Sequence, residues 1–381
     1  MSHRSSRRPS AFTPGLVVAG LICGWHLAAE ASTATPGQLA AWGDNSGGQT
    51  NLPTGLSDLV SFAGGGWHSI ARRANGSVVA WGGNDDGQTN VPSGLTGVRA
   101  VAAGFVHSLV LSSNGTVLAW GDNSYQQTNW GLSLTNISAV AAGYFHNLAL
   151  HSNGMVAAWG WDSAGQIEVP TGLSNVTALA AGFEHSLALR SDGRVVAWGG
   201  LDFVTNVPVQ ASNVIAIAAG GFHCLALRRD GTVIAWGADE DLQTEVPPGL
   251  SNVVAVAAGY AHSLALRADG TLLSWGNNEY NQTNLPSGVT NLASIAAGAY
   301  HNLGWYGVPP LRMTDPRLDA AGFSTAVQTR LGQIYLLQFR EEVEDGAWTE
   351  AARIAGDGTI LRLSHSTPGI GHQFYRVMQS P

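Results

Sequence analysis

The feature that most limits how this chain can fold is a repeat. Trp-Gly recurs at Trp42, Trp81, Trp120, Trp159, Trp198, Trp236 and Trp275. A second marker keeps the same step: His68, His107, His146, His185, His223, His262 and His301. Both markers shorten by one residue inside the same unit, between His185 and His223, so the period belongs to the unit and not to one motif. A repeat of this length is a supersecondary unit that cannot bury its apolar surface alone.

Residues 98–129 show what one unit contains. VRAVAAG is followed by FVHSLVLSSNG, TVLAWG and DNSYQQTN. Apolar runs of this length, separated by Gly, Asn and Ser, read as strands and are too short for ordinary helices. Asn114-Gly115, and Asp-Gly or Asn-Gly at the same place elsewhere, predicts a two-residue hairpin with positive φ at both turn residues. A fourth, weaker strand is expected after the Gln-Thr segment, where Val-Pro or Leu-Pro suits an outer edge.

Stacking such sheets around an axis gives a β-propeller. The Ala-rich runs suit its crowded inner strands, and the tryptophans the blade interfaces. Glycines 66, 104, 143, 182, 220, 259 and 298 are expected to end the inner strands. The array begins on a third-strand motif, Leu39–Gly43, and ends after a first and a second strand, Ala293–Ala297 and Asn302–Tyr306. Together the two ends make one blade. The expected fold is therefore all-β, a seven-bladed β-propeller over 38–308 closed by the N-terminal strand.

Past Tyr306 the period stops. Strands are expected at Thr325–Gln328, Gln333–Phe339, Ala347–Ile354, Thr359–Leu363 and Gln373–Val377, with turns at Leu331-Gly332, Asp345-Gly346 and Gly356–Gly358. Residues 309–381 thus read as a small C-terminal β-sandwich-like module. Residues 1–31 read as a signal peptide: Arg4, Arg7 and Arg8 precede an apolar run that ends at Ala29-Glu30-Ala31. A membrane anchor or a disordered tail is the alternative, but Pro14, Gly15, Gly20, Gly24 and His26 make a poor spanning helix. No stable membrane insertion is expected once the signal is removed, and the expected placement is secreted, periplasmic or cell-surface. With Cys23 in the leader, Cys224 has no internal disulfide partner and reads as a small buried hydrophobe.

The net charge is −8. All basic residues are arginine, and the propeller carries 8 of them against 17 Asp and Glu. No basic patch for nucleic acid is expected. The sequence holds no serine-nucleophile motif, phosphate loop or zinc spacing, so no catalytic residue, metal or cofactor is assigned. Paired acids from distant blades remain open.

The units closely resemble the regulator of chromosome condensation repeat family. The signature is Asp/Asn-Gly-x-Val-x-x-Trp-Gly, then Asn, Gly-Gln and Val-x-Ala-Val-Ala-Ala-Gly-x-x-His-Ser-Leu-Ala-Leu, over about 270 residues. The Thr-x-Val-Pro-x-Gly-Leu insert at Thr89 to Leu95 looks like that of secreted bacterial members, among them a Streptomyces β-lactamase inhibitor propeller. The resemblance implies a seven-bladed propeller. The functions it implies diverge: guanine-nucleotide exchange on a nuclear small GTPase, protein inhibition, or scaffolding. The nuclear exchanger carries a loop wedge in one blade and a basic tail, and neither is visible here. Phe374-Tyr375-Arg376-Val377 with Trp348 resembles C-terminal modules of Verrucomicrobia surface proteins.

Function should sit where repeats disagree. The seven equivalent histidines and the tryptophans read as structural, because catalysis needs unlike groups close together. The two residues before each histidine always include an aromatic: Trp67, Phe105, Tyr144 with Phe145, Phe183, Phe222, Tyr260 and Tyr300. These should ring one mouth of the channel, either as packing or as a docking ring of rigid anchors. A second variable set follows Trp-Gly, where Tyr125, Trp161, Phe203 and Tyr280 are mixed with acids such as Asp85, Asp86, Asp122, Asp162 and Asp239–Asp241. Aromatics among acids suit a protein-binding face steered by charge. The expected function is an exported non-catalytic binder of an unidentified protein partner. A glycan-binding or glycan-cleaving surface protein, with a polysaccharide as partner, is the first alternative. A guanine-nucleotide exchange factor is placed last, for want of the wedge.

Overall fold

The computed structural model describes residues 37–129, 134–306, 314–319, 322–328, 334–340, 349–355, 360–365 and 374–380. They fall into two compact units, one within 37–306 and one from 314 onward. The expected signal peptide at 1–31 lies outside the described residues, as do Trp348 and the three expected C-terminal turns.

The first unit is seven three-stranded antiparallel sheets. In the first blade, Leu59–Gly64, His68–Arg73 and Val78–Gly82 form a meander with the histidine strand in the middle. The central strand is flanked within its sheet and covered on both faces, so HSLALR-type strands are buried almost throughout, as in His185–Arg190 and His262–Arg267. Apolar clusters join successive blades. Leu225, Leu227 and Val233 of the fifth meet Val253, Val256 and Trp275 of the sixth. The interface between blades is therefore the core, and full burial of a Leu or Val there contributes roughly 1.5–3 kcal/mol.

The two ends of the array share a blade. Gln38–Gly43 pairs antiparallel with His301–Tyr306, with Leu39 opposite Trp305 and Trp42 opposite Asn302. Trp42 donates Nε1–H to the Gln282 carbonyl at 3.0 Å. Leu39, Ala296 and Leu303 then pack on Leu59, Ala71 and Trp81 of the first blade. The last seam is packed like the others, so the ring has no open apolar face.

Three local expectations need correction. No fourth strand forms among the described residues. After Gln88, the N–H of Thr89 goes to the Asn84 side chain at 2.9 Å, those of Asn90 and Val91 go to Gly87 and Thr89, and Pro92 has none. The segment spends its donors on its own turn, and Val91 and Leu95 cap the apolar cluster as side chains. The hairpin turns differ too. Only the glycine is left-handed, as Gly115 at φ 83°. Gly115 donates to Ser112 and Ser112 to Thr116, while Asn114 Oδ1 accepts from Thr116 N–H. This is a three-residue loop with a bulge glycine, the other common hairpin solution. The glycine that ends the first inner strand is Gly65, not Gly66, because Gly65 N–H bonds the His68 carbonyl as Gly104 bonds His107.

In the second unit, Thr314–Asp319, Gly322–Gln328 and Ile360–His365 form one sheet, and Thr349–Ala355, Ile334–Arg340 and Phe374–Ser380 form another. The expected strands are present. Thr314–Asp319 is a strand beyond those expected; its ladder shifts register between Thr314 and Arg317, across Pro316.

Candidate functional site

The site is built on two closed belts of hydrogen bonds. The first is made of side chains. Each buried histidine reaches the residue after the histidine of the next blade: His68 to Ser108 at 3.0 Å, His107 to Asn147 at 2.8 Å, His146 to Ser186 at 2.9 Å, His223 to Ser263 at 2.9 Å, and His262 to Asn302 at 2.7 Å. His301 closes the circle on Ser69 at 2.9 Å. The serine protons are already committed, as in Ser108 Oγ to the Gln88 carbonyl at 2.8 Å. The histidine must therefore donate from Nε2, which fixes the tautomer. The same glutamine carbonyl also accepts the tryptophan Nε1–H, from Trp120 at 3.0 Å.

The second belt is backbone. Gly66 N–H bonds the Phe105 carbonyl, Phe105 the Tyr144 carbonyl, Tyr144 that of Gly182, Phe183 that of Gly221, Gly221 that of Tyr260, Tyr260 that of Ala299, and Ala299 that of Gly65. It runs through the turns between first and second strands, so it fixes the residues at the mouth.

The mouth aromatics form a continuous ring on this belt. Centroid distances are 4.6 Å from Trp67 to Phe105, 4.7 Å to Tyr144, 5.0 Å to Phe183, 5.2 Å to Phe222, 6.0 Å to Tyr260 and 5.6 Å to Tyr300. Tyr300 returns to Trp67 at 6.3 Å. All are half-buried. Where the first turn residue is an aromatic it enters the ring directly. Where it is Gly66, Gly221 or Ala299, the second residue, Trp67, Phe222 or Tyr300, enters instead. A Cβ on Gly221 would stand 2.7 Å from the Tyr260 ring, so glycine there makes room for the next blade's aromatic. Tyr144 also lies 5.9 Å from Tyr260, three blades away, and so reaches across the axis. Beneath the ring, the axial channel is lined by Ala103, Ala142, Gly143 and their equivalents.

An arm of aromatics extends outward on one side. Phe145 lies 5.8 Å from Phe105, 5.4 Å from Tyr125 and 5.8 Å from Trp161, and Trp161 lies 5.6 Å from both Tyr125 and Phe183. Tyr280 touches Tyr300 at 5.5 Å. Tyr125, Phe203 and Tyr280 are exposed. Phe203 stands apart on the helical turn Asp202–Thr205 that replaces the Gly-Gln loop of the fifth blade. There the Val204 carbonyl takes the place of the glutamine carbonyl and accepts Trp236 Nε1–H at 2.7 Å.

Charge is sorted between the two ends of the propeller. The mouth turns and the loops after Trp-Gly hold Asp44, Asp85, Asp86, Asp122, Asp162, Glu184, Asp202, Asp239, Glu240, Asp241 and Glu279, and no arginine. The arginines lie at the other end: Arg72, Arg73, Arg190, Arg228 and Arg267 close central strands, Arg99 begins an inner strand, and Arg194 and Arg229 sit in the hairpins. Several bond that rim, as Arg73 does with Asp58 at 2.7 Å and Arg99 with the Ile137 carbonyl at 2.7 Å. Partial burial first, then Asp122 and Asp85, raise the Asp86 carboxyl. Burial acts the same way on Asp122, but the bonds from Ser124, Gln127 and Asn123 outweigh it and hold that carboxyl low. Burial, then the neighbouring tyrosines, push the Tyr144 phenol up.

The histidines are not acid–base groups. Burial, reinforced by neighbouring histidines, pulls His68, His146, His185, His223 and His301 down to about 3. His107 and His262, bonded to asparagine, go to about 4. They stay neutral and structural. Sequence reasoning overlooked the glutamines. Gln49, Gln88, Gln127, Gln166, Gln243 and Gln282 are buried, and each pins its loop by accepting a backbone N–H on Oε1 while its own carbonyl anchors the next blade. The repeated Gly-Gln was the available signal. Among the described residues no cluster could hold a metal ion, and no helix is long and apolar enough to cross a membrane.

Residues 59–88, 98–127, 137–166, 176–200, 214–243 and 253–282 match the regulator of chromosome condensation (RCC1) repeat. The chain is an RCC1-type seven-repeat β-propeller. It is similar to Prp20p of Saccharomyces cerevisiae, a protein studied for its binding to Gsp1p and histones, with TM-score 0.61 and 23% identity over 72% of this chain and 92% of that one. Against the same yeast protein bound to Kap60, the TM-score is 0.60 at 20% identity, covering 81% and 97%. Against human WBSCR16 it is 0.57 at 19%, covering 71% and 98%. No curated protein matches the chain.

These likenesses correct the functional expectations. They are to yeast Prp20p, an RCC1 protein, and to human WBSCR16, and not to the secreted bacterial type that the Thr89 to Leu95 insert resembles. The secreted, periplasmic or cell-surface placement, and the signal and surface character that went with it, do not stand. Nor does the non-catalytic binder as the leading reading, since the likeness is to Prp20p, studied with Gsp1p and histones. Binding of proteins is common ground: Prp20p binds Gsp1p, histones and Kap60.

Proposed function

We propose that this RCC1-type propeller is a guanine-nucleotide exchange factor that docks a small GTPase on its mouth face. The observation that carries the reading is the closed aromatic ring, held by two circular hydrogen-bond belts, on a face free of arginine. Exchange asks for such a surface and for no nucleophile or acid–base pair. A factor that binds the nucleotide-free GTPase more tightly than the loaded one lowers nucleotide affinity by the same ratio. Rigidity matters because every ordering cost at the interface subtracts from that difference. Trp67, Phe105, Tyr144, Phe145, Phe183, Phe222, Tyr260, Tyr300, Tyr125, Trp161 and Tyr280 supply the contact surface, and Phe203 an outlying contact. Residues 38–308 form the functional propeller and 309–381 a sandwich-like module.

The test is release of a fluorescent guanine nucleotide from a panel of small GTPases, Gsp1p among them, in the presence of the purified chain. Acceleration is expected for at least one, and the double variant Trp67→Ala/Phe222→Ala should lose most of it while keeping its melting profile. Unaccelerated release across the panel, or a double variant of full activity, would sink the proposal.

A further inference from the structure

The charge sorting and the aromatic arm together specify what chemistry the mouth face accepts. Tyr125, Phe145 and Trp161 form a three-ring cluster with mutual centroid distances of 5.4–5.8 Å. Tyr125 is exposed and Trp161 half-buried, so their surfaces are open to a partner. Asp122, Asp162 and Glu184 are on the turns that carry or adjoin these rings. Among the described residues of the propeller no arginine lies at this end, because its arginines sit at the other ends of the strands. Electron-rich faces of Trp and Tyr attract guanidinium and ammonium groups, and carboxylates around them add long-range attraction and orientation. An acidic or neutral segment would gain the apolar contact but meet an unbalanced field.

We infer that the Tyr125–Phe145–Trp161 cluster, with Asp122, Asp162 and Glu184 around it, is a docking site for an arginine- or lysine-rich segment of the protein partner. This rests on the reading that the mouth face docks a protein, and it adds the partner's charge and the blades it engages. Cations stack on the three rings while the carboxylates pair with neighbouring positive groups.

The experiment is calorimetric titration of the full chain with octa-arginine, octa-glutamate and a glycine–serine peptide, at low and high salt. Octa-arginine should bind, with affinity falling steeply as salt rises, and the other two should not. Trp161→Ala should weaken it about tenfold. Tyr125→Ala, at an exposed ring, serves as a second variant should Trp161→Ala unfold. The pair Asp162→Asn and Glu184→Gln should lower affinity and flatten the salt dependence; asparagine can keep the bond from Ile167 N–H that Asp162 accepts at 3.1 Å. Asp192→Asn with Asp230→Asn, at the opposite end, should change nothing. Failure to bind octa-arginine, equal binding of octa-glutamate, or undiminished binding by both ring variants would overturn the inference. Octa-arginine binding without nucleotide release removes the exchange reading alone, and nucleotide release without octa-arginine binding removes this one alone.

Discussion

The buried histidine belt should make the propeller sensitive to acid well above the range in which its carboxylates protonate. Each of the seven stays neutral in the folded state, with a pKa near 3 or 4, and returns to about 6.5 when unfolded. The unfolded chain therefore binds more protons below that value, so the folded state is fully favoured above it and loses ground as pH falls toward the folded values. At pH 5.5, proton binding stabilises each unfolded histidine by about 1.4 kcal/mol, and seven together by about 10 kcal/mol. That is comparable to a whole domain's stability, roughly 5–15 kcal/mol. Seven unfolded histidines already gain about 1 kcal/mol at pH 7, so with about 2.1 cal/mol/K of unfolding entropy per residue over roughly 270 residues the melting midpoint should drop by about 15 °C between pH 7 and 5.5. The carboxylates that the fold holds low, Asp122, Asp230 and Asp269, start from 3.8 and act only in stronger acid. Melting followed by tryptophan fluorescence across this range gives the slope, and the histidine Cε1 proton resonances of the folded protein give its source. A midpoint that stays flat down to pH 5.5, or seven resonances that titrate near 6.5, would refute the argument.

Two further outcomes test the belts. A Cβ on Gly143 would stand 2.5 Å from His146 Cε1 and 2.6 Å from the Gly182 carbonyl, whereas Gly172, at φ 81°, has open space around it. Gly143→Ala should cost about 3 kcal/mol or more in urea unfolding and Gly172→Ala about 1 kcal/mol; equal costs would mean that the glycine does not make room for the ring. Cys224 accepts the His185 bond at 3.3 Å where other blades offer a serine or asparagine oxygen, so Cys224→Ser should stabilise the protein by about 0.5–1 kcal/mol, and a lowered melting midpoint would count against the belt.

Much of this architecture was legible because the repeat states it seven times. The period, the blade count and the shared last blade follow from where Trp-Gly and histidine fall, since a sheet with two apolar faces and a split blade at the ends has one economical closure. The local misreadings came from short-range competition. Asn114-Gly115 is compatible with two hairpin turns, and the choice depends on whether Asn114 adopts positive φ or uses its side chain on Thr116. The segment after Gln88 has strand-like residues, yet Asn84 offers its backbone a nearer acceptor than any neighbouring strand does.

The sequence alone determined that aromatics stand before every histidine, that the histidines are equivalent, and that acids dominate the loops after Trp-Gly. Only the tertiary structure decided that Trp67 and Tyr300, at opposite ends of the array, complete one ring, that Tyr144 crosses the axis to Tyr260, and that the eight arginines of the propeller share the far end. The reason is physical. Composition and period record which residues each blade contributes, but contact across a closed ring depends on the angle between blades and on the path of each turn, and those are set by packing between segments far apart in the chain.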